Sequence, residues 1–139
     1  MKLNQEIVRT RCQEIAESLE RLNSIKKEGK RRFLEDQDLQ DVACYRFLVA
    51  IEAALNLCYH IAAKQLKKVP DEYAQCFQVL EEAKIIPSRL SKKLQKMARF
   101  RNLLVHMYWK IDFEEVFTIL QKDLNDLNRF AKKVAELTY

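Results

Sequence analysis

Between Phe100 and Trp109 the chain gathers Arg101, Asn102, His106, Tyr108 and Trp109 into one short stretch. Asn102 and His106 are four residues apart, so on a helix they share a face. Arg101 is offset from Asn102 by about 100° and can flank the same cleft. An imidazole exchanges protons near neutral pH, and a guanidinium holds a phosphate or stabilises charge developing on it. These are the minimum parts for metal-free cleavage of a ribonucleotide chain, with Arg101 and His106 as the catalytic pair and Asn102 in support. The same residue types have a plainer use, because His and Arg at a helix end also interact with its last carbonyls.

Three further features invite chemistry. Glu52, Asn56 and His60 recur at i, i+4 and i+8 and form one polar ridge on an otherwise apolar helix. Leaving such groups buried and unpaired costs about 1–3 kcal/mol each. The ridge therefore either joins the cleft of Arg101 or is satisfied within the subunit or by solvent. Ahead of Arg101, the residues Arg89, Lys92, Lys93, Lys96 and Arg99 make a basic strip. Lys92, Lys96 and Arg99 are its candidate RNA contacts, and binding through them would weaken with salt. A solvated helix face is the alternative. Tyr108 falls on an expected loop, where its hydroxyl is reachable. The alternative is a half-buried tyrosine bonded to backbone. Trp109 is expected in the core, with stacking on a base as its other use.

Five helices are expected to position these groups. Val8, Cys12, Ile15, Leu19, Leu22 and Ile25 give a stripe on a helix over 3–29, closed by Gly29. Lys30, Arg31 and Arg32 then read as a basic connection. A second helix over 36–67 has two apolar faces, so it is central to a bundle or shared with a partner subunit. A short helix is expected over 71–84, with Phe77 and Leu80 inward. Pro87 and an N-cap at Ser88 start a fourth helix that ends near His106. Residues 107–111 read as a connection. Asp112 caps a fifth helix carrying Phe113, Val116, Leu120, Leu124, Leu127, Ala131 and Val134 in rhythm. The expected fold is an all-α, up-down bundle of four longer helices and one short one, forming a single domain over 1–139.

Composition narrows the function classes. The 139 residues include one glycine and two prolines, too few for the turns of a β or α/β fold or for a phosphate-cradling loop. Lys and Arg number 25 against 20 Asp and Glu, a mild basic excess compatible with a polyanionic partner. Cys12, Cys44, Cys58 and Cys76 show no C-x-x-C spacing, so no zinc or thioredoxin-like site is expected. They read as small buried hydrophobes, and no metal site is assigned. The most apolar stretch, 47–63, is short for a membrane span and carries the polar ridge. No signal peptide is apparent at the N-terminus, and the expected setting is the reducing cytoplasm, with no membrane.

The stretch from Arg101 to Tyr108 reads R-x4-H-x-Y. It resembles the signature of the HEPN superfamily, in its HepT-like toxin branch. Residues 50–54 (AIEAA), 85–87 (IIP), Met97-Ala98-x-Phe100-Arg101-Asn102 and Tyr108-Trp109-x-Ile111-Asp112 extend the likeness over nearly the whole chain. The resemblance implies an HEPN-like helical domain and a ribonuclease toxin. It implies a homodimer whose Arg101 and His106 line a cleft between subunits. It also implies an MntA-like nucleotidyltransferase antitoxin that transfers AMP from ATP onto Tyr108 and so blocks the site. No cofactor is implied for the toxin itself. Two other readings stay open. One is a non-catalytic nucleotide-binding or adaptor subunit for a nucleotidyltransferase. The other is a purely structural helical dimer.

Overall fold

The computed structural model describes residues 3–139. Its helices are α1 (Gln5–Glu28), α2 (Lys30–Glu35), α3 (Gln37–Gln65), α4 (Tyr73–Glu82), α5 (Ser88–His106), α6 (Phe113–Lys122) and α7 (Leu124–Thr138). A single 3-10 turn, Tyr108–Lys110, links α5 to α6. No strand occurs among the described residues, and the all-α expectation holds.

The start of α1 is set by Asn4, whose Oδ1 accepts from the N–H groups of Glu6 and Ile7. Its stripe is buried at Val8, Ile15, Leu19, Leu22 and Ile25, and half-buried at Cys12. Gly29 ends it at φ 90°, a conformation that favours glycine, and Lys26 and Lys27 oppose the helix dipole in the last turn. The chain then departs from expectation. Lys30–Glu35 is a helix and not a loop, because Phe33 must be buried. Its ring lies 5.6 Å from that of Phe117 and 6.2 Å from that of Phe113. The cations of this segment face outward in i, i+4 pairs, Arg31 with Glu35 and Arg32 with Glu28.

The central element is α3. It is apolar on two sides because it packs against α1, α4, α5 and α7. By length and composition it is also the one helix among the described residues long and apolar enough to cross a membrane, yet it forms the core of the bundle. Asp36 caps its start through Oδ1. It stops at Gln65, slightly before the expected end, where Lys67 turns left-handed (φ 52°) and the Lys68 N–H reaches back to the Ala62 carbonyl. That contact satisfies a carbonyl that the helix end would otherwise orphan.

Antiparallel packing follows from the cross-helix bonds. Residues at the start of α1 meet the end of α3, and those of α1 meet α7 in reverse order through Cys12 to Ala131 and Lys26 to Gln121. Phe47 packs edge-on against Phe100 at 5.4 Å, and Phe77 against Phe130 at 5.5 Å. These pairs tie α3 to α5 and α4 to α7. Truncating a fully buried phenylalanine such as Phe47 costs about 3–5 kcal/mol.

Three boundaries differ from the sequence reading. Helix α4 is shorter than 71–84, because a left-handed Lys84 (φ 61°) and the bond from Ile85 N–H to the Leu80 carbonyl close it early. Pro87, not Ser88, occupies the N-cap of α5, and the Pro87 carbonyl takes the Ser91 N–H. Proline fits there because its φ is already set and no N–H is wasted. The expected fifth helix is two, α6 and α7, broken at Asp123 without Gly or Pro. The break follows tertiary packing: α6 covers α2 while α7 lies along α1, and at the junction the Asp123 carboxylate meets Lys93 of α5 at 3.1 Å.

Candidate active site

The site is built where the last turns of α5 meet the middle of α3 and the start of α4. Leu90, Leu94, Met97, Ala98 and Phe100 bury one side of α5 and fix its rotation. That rotation leaves Arg101 at the edge of the core, its side chain only 13% exposed. Three neighbours define its place. The Nε–H donates to Glu52 Oε1 on α3. Nη1 donates to Asn102 Oδ1 at 3.1 Å. The ring of Tyr73, first residue of α4, lies with its centroid 4.6 Å from the guanidinium carbon. A guanidinium has five N–H donors. Two are engaged, so three remain without a partner among the described residues.

Asn102 and His106 line the same open groove, together with Tyr73, Leu103 and Met107. A guanidinium has no acceptor, so the Asn102 amide must present its oxygen to Arg101. Its NH₂ group is left for another partner. Asn102 thus braces Arg101 and not His106. His106 stands exposed in the final turn of α5, with no hydrogen bond to the described residues. The plain use of a histidine at a helix end, bonding the last carbonyls, is not what its ring does here. The Leu103 carbonyl is taken instead by the Met107 N–H.

The ridge on α3 divides in use. Glu52 joins the site through Arg101. Asn56 accepts from Arg11 Nε at 3.2 Å, and His60 Nε2 accepts from the Asn4 N–H at 2.9 Å. Asn56 and His60 therefore bind α1 to α3 and stand apart from the groove. Burial, with Lys64 as a smaller cause, lowers the His60 pKa from its ordinary value.

The basic strip is also thinned. Lys93 is paired with Asp123, whereas Arg89, Lys92, Lys96 and Arg99 are exposed and make no ion pair among the described residues. Arg99 also lines the groove of His106, so the strip runs into it.

Tyr108 is 68% exposed on its 3-10 turn and its hydroxyl bonds nothing among the described residues. Trp109, expected in the core, is 66% exposed and lies edge-on to Tyr108 at 5.5 Å. The 3-10 turn directs its ring outward, away from the apolar stripe that resumes at Phe113. Tyr73 was invisible to the sequence reading, because its partner lies 28 residues further on in another helix and no periodicity links them.

Cys58 and Cys76 are buried, as expected, while Cys12 and Cys44 are half-buried, and all four are free. Burial, aided by Asp41, pushes the Cys44 thiol up to about 11. Among the described residues no three His, Cys, Asp or Glu side chains gather closely enough to hold a metal ion.

The all-α antiparallel bundle is the fold of the HEPN class. Within that class a family model for HepT-like ribonucleases matches residues 15–134, and the chain belongs to that family. The mRNA nuclease HepT of Shewanella oneidensis is 26% identical over 125 residues, covering 90% of this chain and 93% of that protein. A solved structure of the tri-AMPylated Shewanella oneidensis HEPN toxin in complex with MNT antitoxin superposes at TM-score 0.88, with 25% identity over 96% of this chain and 99% of that one. A toxin–antitoxin structure with AMP-PNP gives TM-score 0.86 at 25% identity, covering 95% and 99%.

Proposed function

We propose that residues 1–139 form one catalytic domain, the toxin of a toxin–antitoxin pair, and that it cleaves RNA without a metal. The observation that carries this reading is the placement of Arg101. It is fixed by Glu52, Asn102 and Tyr73, keeps three N–H donors in reserve, and stands beside a groove that His106 lines.

In the proposed reaction the ribose 2′-oxygen attacks the adjacent phosphorus. The 2′-O–P bond forms and the P–O5′ bond breaks, leaving a 2′,3′-cyclic phosphate and a free 5′-hydroxyl. One imidazole takes the 2′-OH proton and a second protonates the departing O5′. A homodimer supplies two copies of His106 at one cleft, which gives dimerisation a chemical purpose. Arg101 stabilises the charge on the phosphorane-like transition state. Arg89, Lys92, Lys96 and Arg99 track the flanking backbone, and the exposed Trp109 offers a face for a base.

Neutralisation is assigned to Tyr108. An MntA-like nucleotidyltransferase uses ATP to place AMP on its hydroxyl, with pyrophosphate leaving. The added phosphates compete with RNA for the Arg101 guanidinium. The setting is the cytoplasm, where RNA, ATP and reduced thiols coexist.

The test measures RNA cleavage and intact mass together, before and after incubation with an MntA-like partner and ATP. The expected result is cleavage by the unmodified chain, mass increments of AMP that vanish in Tyr108→Phe, and loss of cleavage in step with modification. RNA binding with no cleavage by the unmodified chain would overturn the nuclease reading in favour of a binding adaptor. Undiminished cleavage by the fully modified chain would overturn the neutralisation.

A further inference from the structure

We propose that Tyr73 is a positioning residue for the reaction, fixing the plane of the Arg101 guanidinium through the face of its ring. The inference rests on the reading of Arg101 as the group that stabilises the phosphate.

The two hydrogen bonds of Arg101, to Glu52 and Asn102, lie along edges of the guanidinium. Bonds made at the edges fix rotation within the plane but resist tilting out of it weakly. The Tyr73 ring, over which the guanidinium carbon lies, supplies the missing restraint. The guanidinium carbon is 4.6 Å from the Tyr73 centroid, inside the range where the ring quadrupole attracts a cation. The Arg101 side chain is largely withdrawn from water, which strengthens that attraction.

Tyr73 is itself held. Tyr59 of α3 meets it edge-on, with centroids 6.0 Å apart and planes at 87°. The Tyr73 hydroxyl makes no hydrogen bond among the described residues, so the ring and not the phenol is what the site uses. Three helices thereby converge on one guanidinium: α3 through Glu52, α5 through Asn102 and α4 through Tyr73. A phosphate approaching Arg101 then meets donors already aimed, which lowers the reorganisation needed in the transition state.

The experiment compares Tyr73→Phe, Tyr73→Leu, Arg101→Lys, the Tyr73→Leu/Arg101→Lys double variant and Arg101→Ala on a fluorophore-labelled oligoribonucleotide, with kcat, KM and melting temperature read for each. Tyr73→Phe, which keeps the ring face, is expected to retain most of the turnover that Tyr73→Leu loses. Tyr73→Leu is expected to lose about tenfold in kcat with little change in KM. In an Arg101→Lys background, Tyr73→Leu is expected to cost little more, because the planar partner is already gone. Unchanged kcat in Tyr73→Leu, equal losses in the Phe and Leu variants, or full additivity with Arg101→Lys would each overturn the proposal. Additivity is the signature of a merely structural role. Wild-type activity in Arg101→Ala is a separate result and would overturn the reading of the site itself.

Discussion

Glu52 and Arg101 are 49 residues apart in the chain, yet the Glu52 carboxylate accepts directly from the Arg101 Nε–H. The pair joins the middle of α3 to the last turns of α5. Half of the Glu52 side chain is exposed, so the pair contributes little to stability. Its value lies in orientation. With Glu52 on Nε and Asn102 on one Nη1 hydrogen, the remaining three Nη hydrogens are available to an anion. Replacing Glu52 by Ala is expected to lower kcat about tenfold without raising the Kd for RNA, because a negative charge near the phosphate leaves with it. Glu52→Gln keeps an acceptor and is expected to retain more turnover than Glu52→Ala. Steady-state kinetics beside equilibrium binding check this, and wild-type kcat in Glu52→Ala would remove Glu52 from the site.

His106 makes the sharpest contrast between activity and stability. Its ring is exposed and bonds nothing among the described residues, so His106→Ala is expected to leave the melting temperature within about 1–2 °C of wild type. Loss of a proton-transfer group costs about 10²–10⁴ in rate. The two measurements belong together: a folded, dimeric and inactive variant supports a catalytic role, and a folded variant with full cleavage excludes it.

What could be read from the sequence and what could not divide along physical lines. The stripes of α1, α3 and the 113–134 segment were legible because burial on one helix face imposes a period of 3.6. Arg101, Asn102, His106 and Tyr108 group as candidates because they are close in the chain. Pairings set by tertiary packing left no local trace. Nothing in the residues around Lys93 marks its bond to Asp123, which thins the basic strip and sits at the junction of α6 and α7. The ridge of Glu52, Asn56 and His60 was seen as a unit, but its partners come from two different helices and the loop before α1. Phe33 turned an expected connection into a helix because two phenylalanines 80 and more residues away cover it.

That pairing of Lys93 separates the lysines of α5 by experiment. Lys92 and Lys96 are exposed, so each contributes to RNA affinity through counterion release. Replacing either by Gln is expected to reduce the slope of log Kd against log salt by about 0.7 for single-stranded RNA. Lys93→Gln is expected to leave that slope unchanged and to lower the melting temperature, because Asp123 loses its cation at the α6–α7 junction. Slopes unchanged from wild type in all three variants would assign the strip to solvation alone.

Asp126 is a stability weakness. Its side chain is buried at the start of α7, and Oδ2 has no hydrogen-bond partner. Burial, with Asp123 adding to it and Lys93 opposing it, raises the carboxyl pKa above its ordinary value. The sign is that of a raised acid: the unfolded chain releases the proton first, so stability is greatest below the ordinary value and declines as pH rises through the folded one. Wherever the group is ionised, it is a charge without full solvation. Asp126→Asn is expected to raise the melting temperature at pH 7 by about 2–4 °C, with the gain vanishing near pH 3. Calorimetry at the two pH values checks this, and a loss at pH 7 would mean that the charge at the helix N-terminus outweighs its desolvation.

His60 carries the opposite pH dependence. The Asn4 N–H needs a lone pair on Nε2, so the bond exists only with the ring neutral on that atom. Burial first, and Lys64 second, lower the pKa from 6.5. Between the lowered folded value and the ordinary one, the unfolded chain holds the extra proton, so stability rises with pH across that window. It is complete above the ordinary value and is lost as pH falls through the folded one. The consequence is local, because His60 closes the end of α3 against the N-cap of α1. Amide exchange in the first turn of α1 is therefore expected to accelerate between pH 7 and pH 5 relative to a control helix such as α7. In His60→Gln, which keeps an acceptor but cannot titrate, the excess acceleration is expected to disappear. Exchange that speeds up equally in both proteins would mean that the first turn of α1 does not depend on this ring.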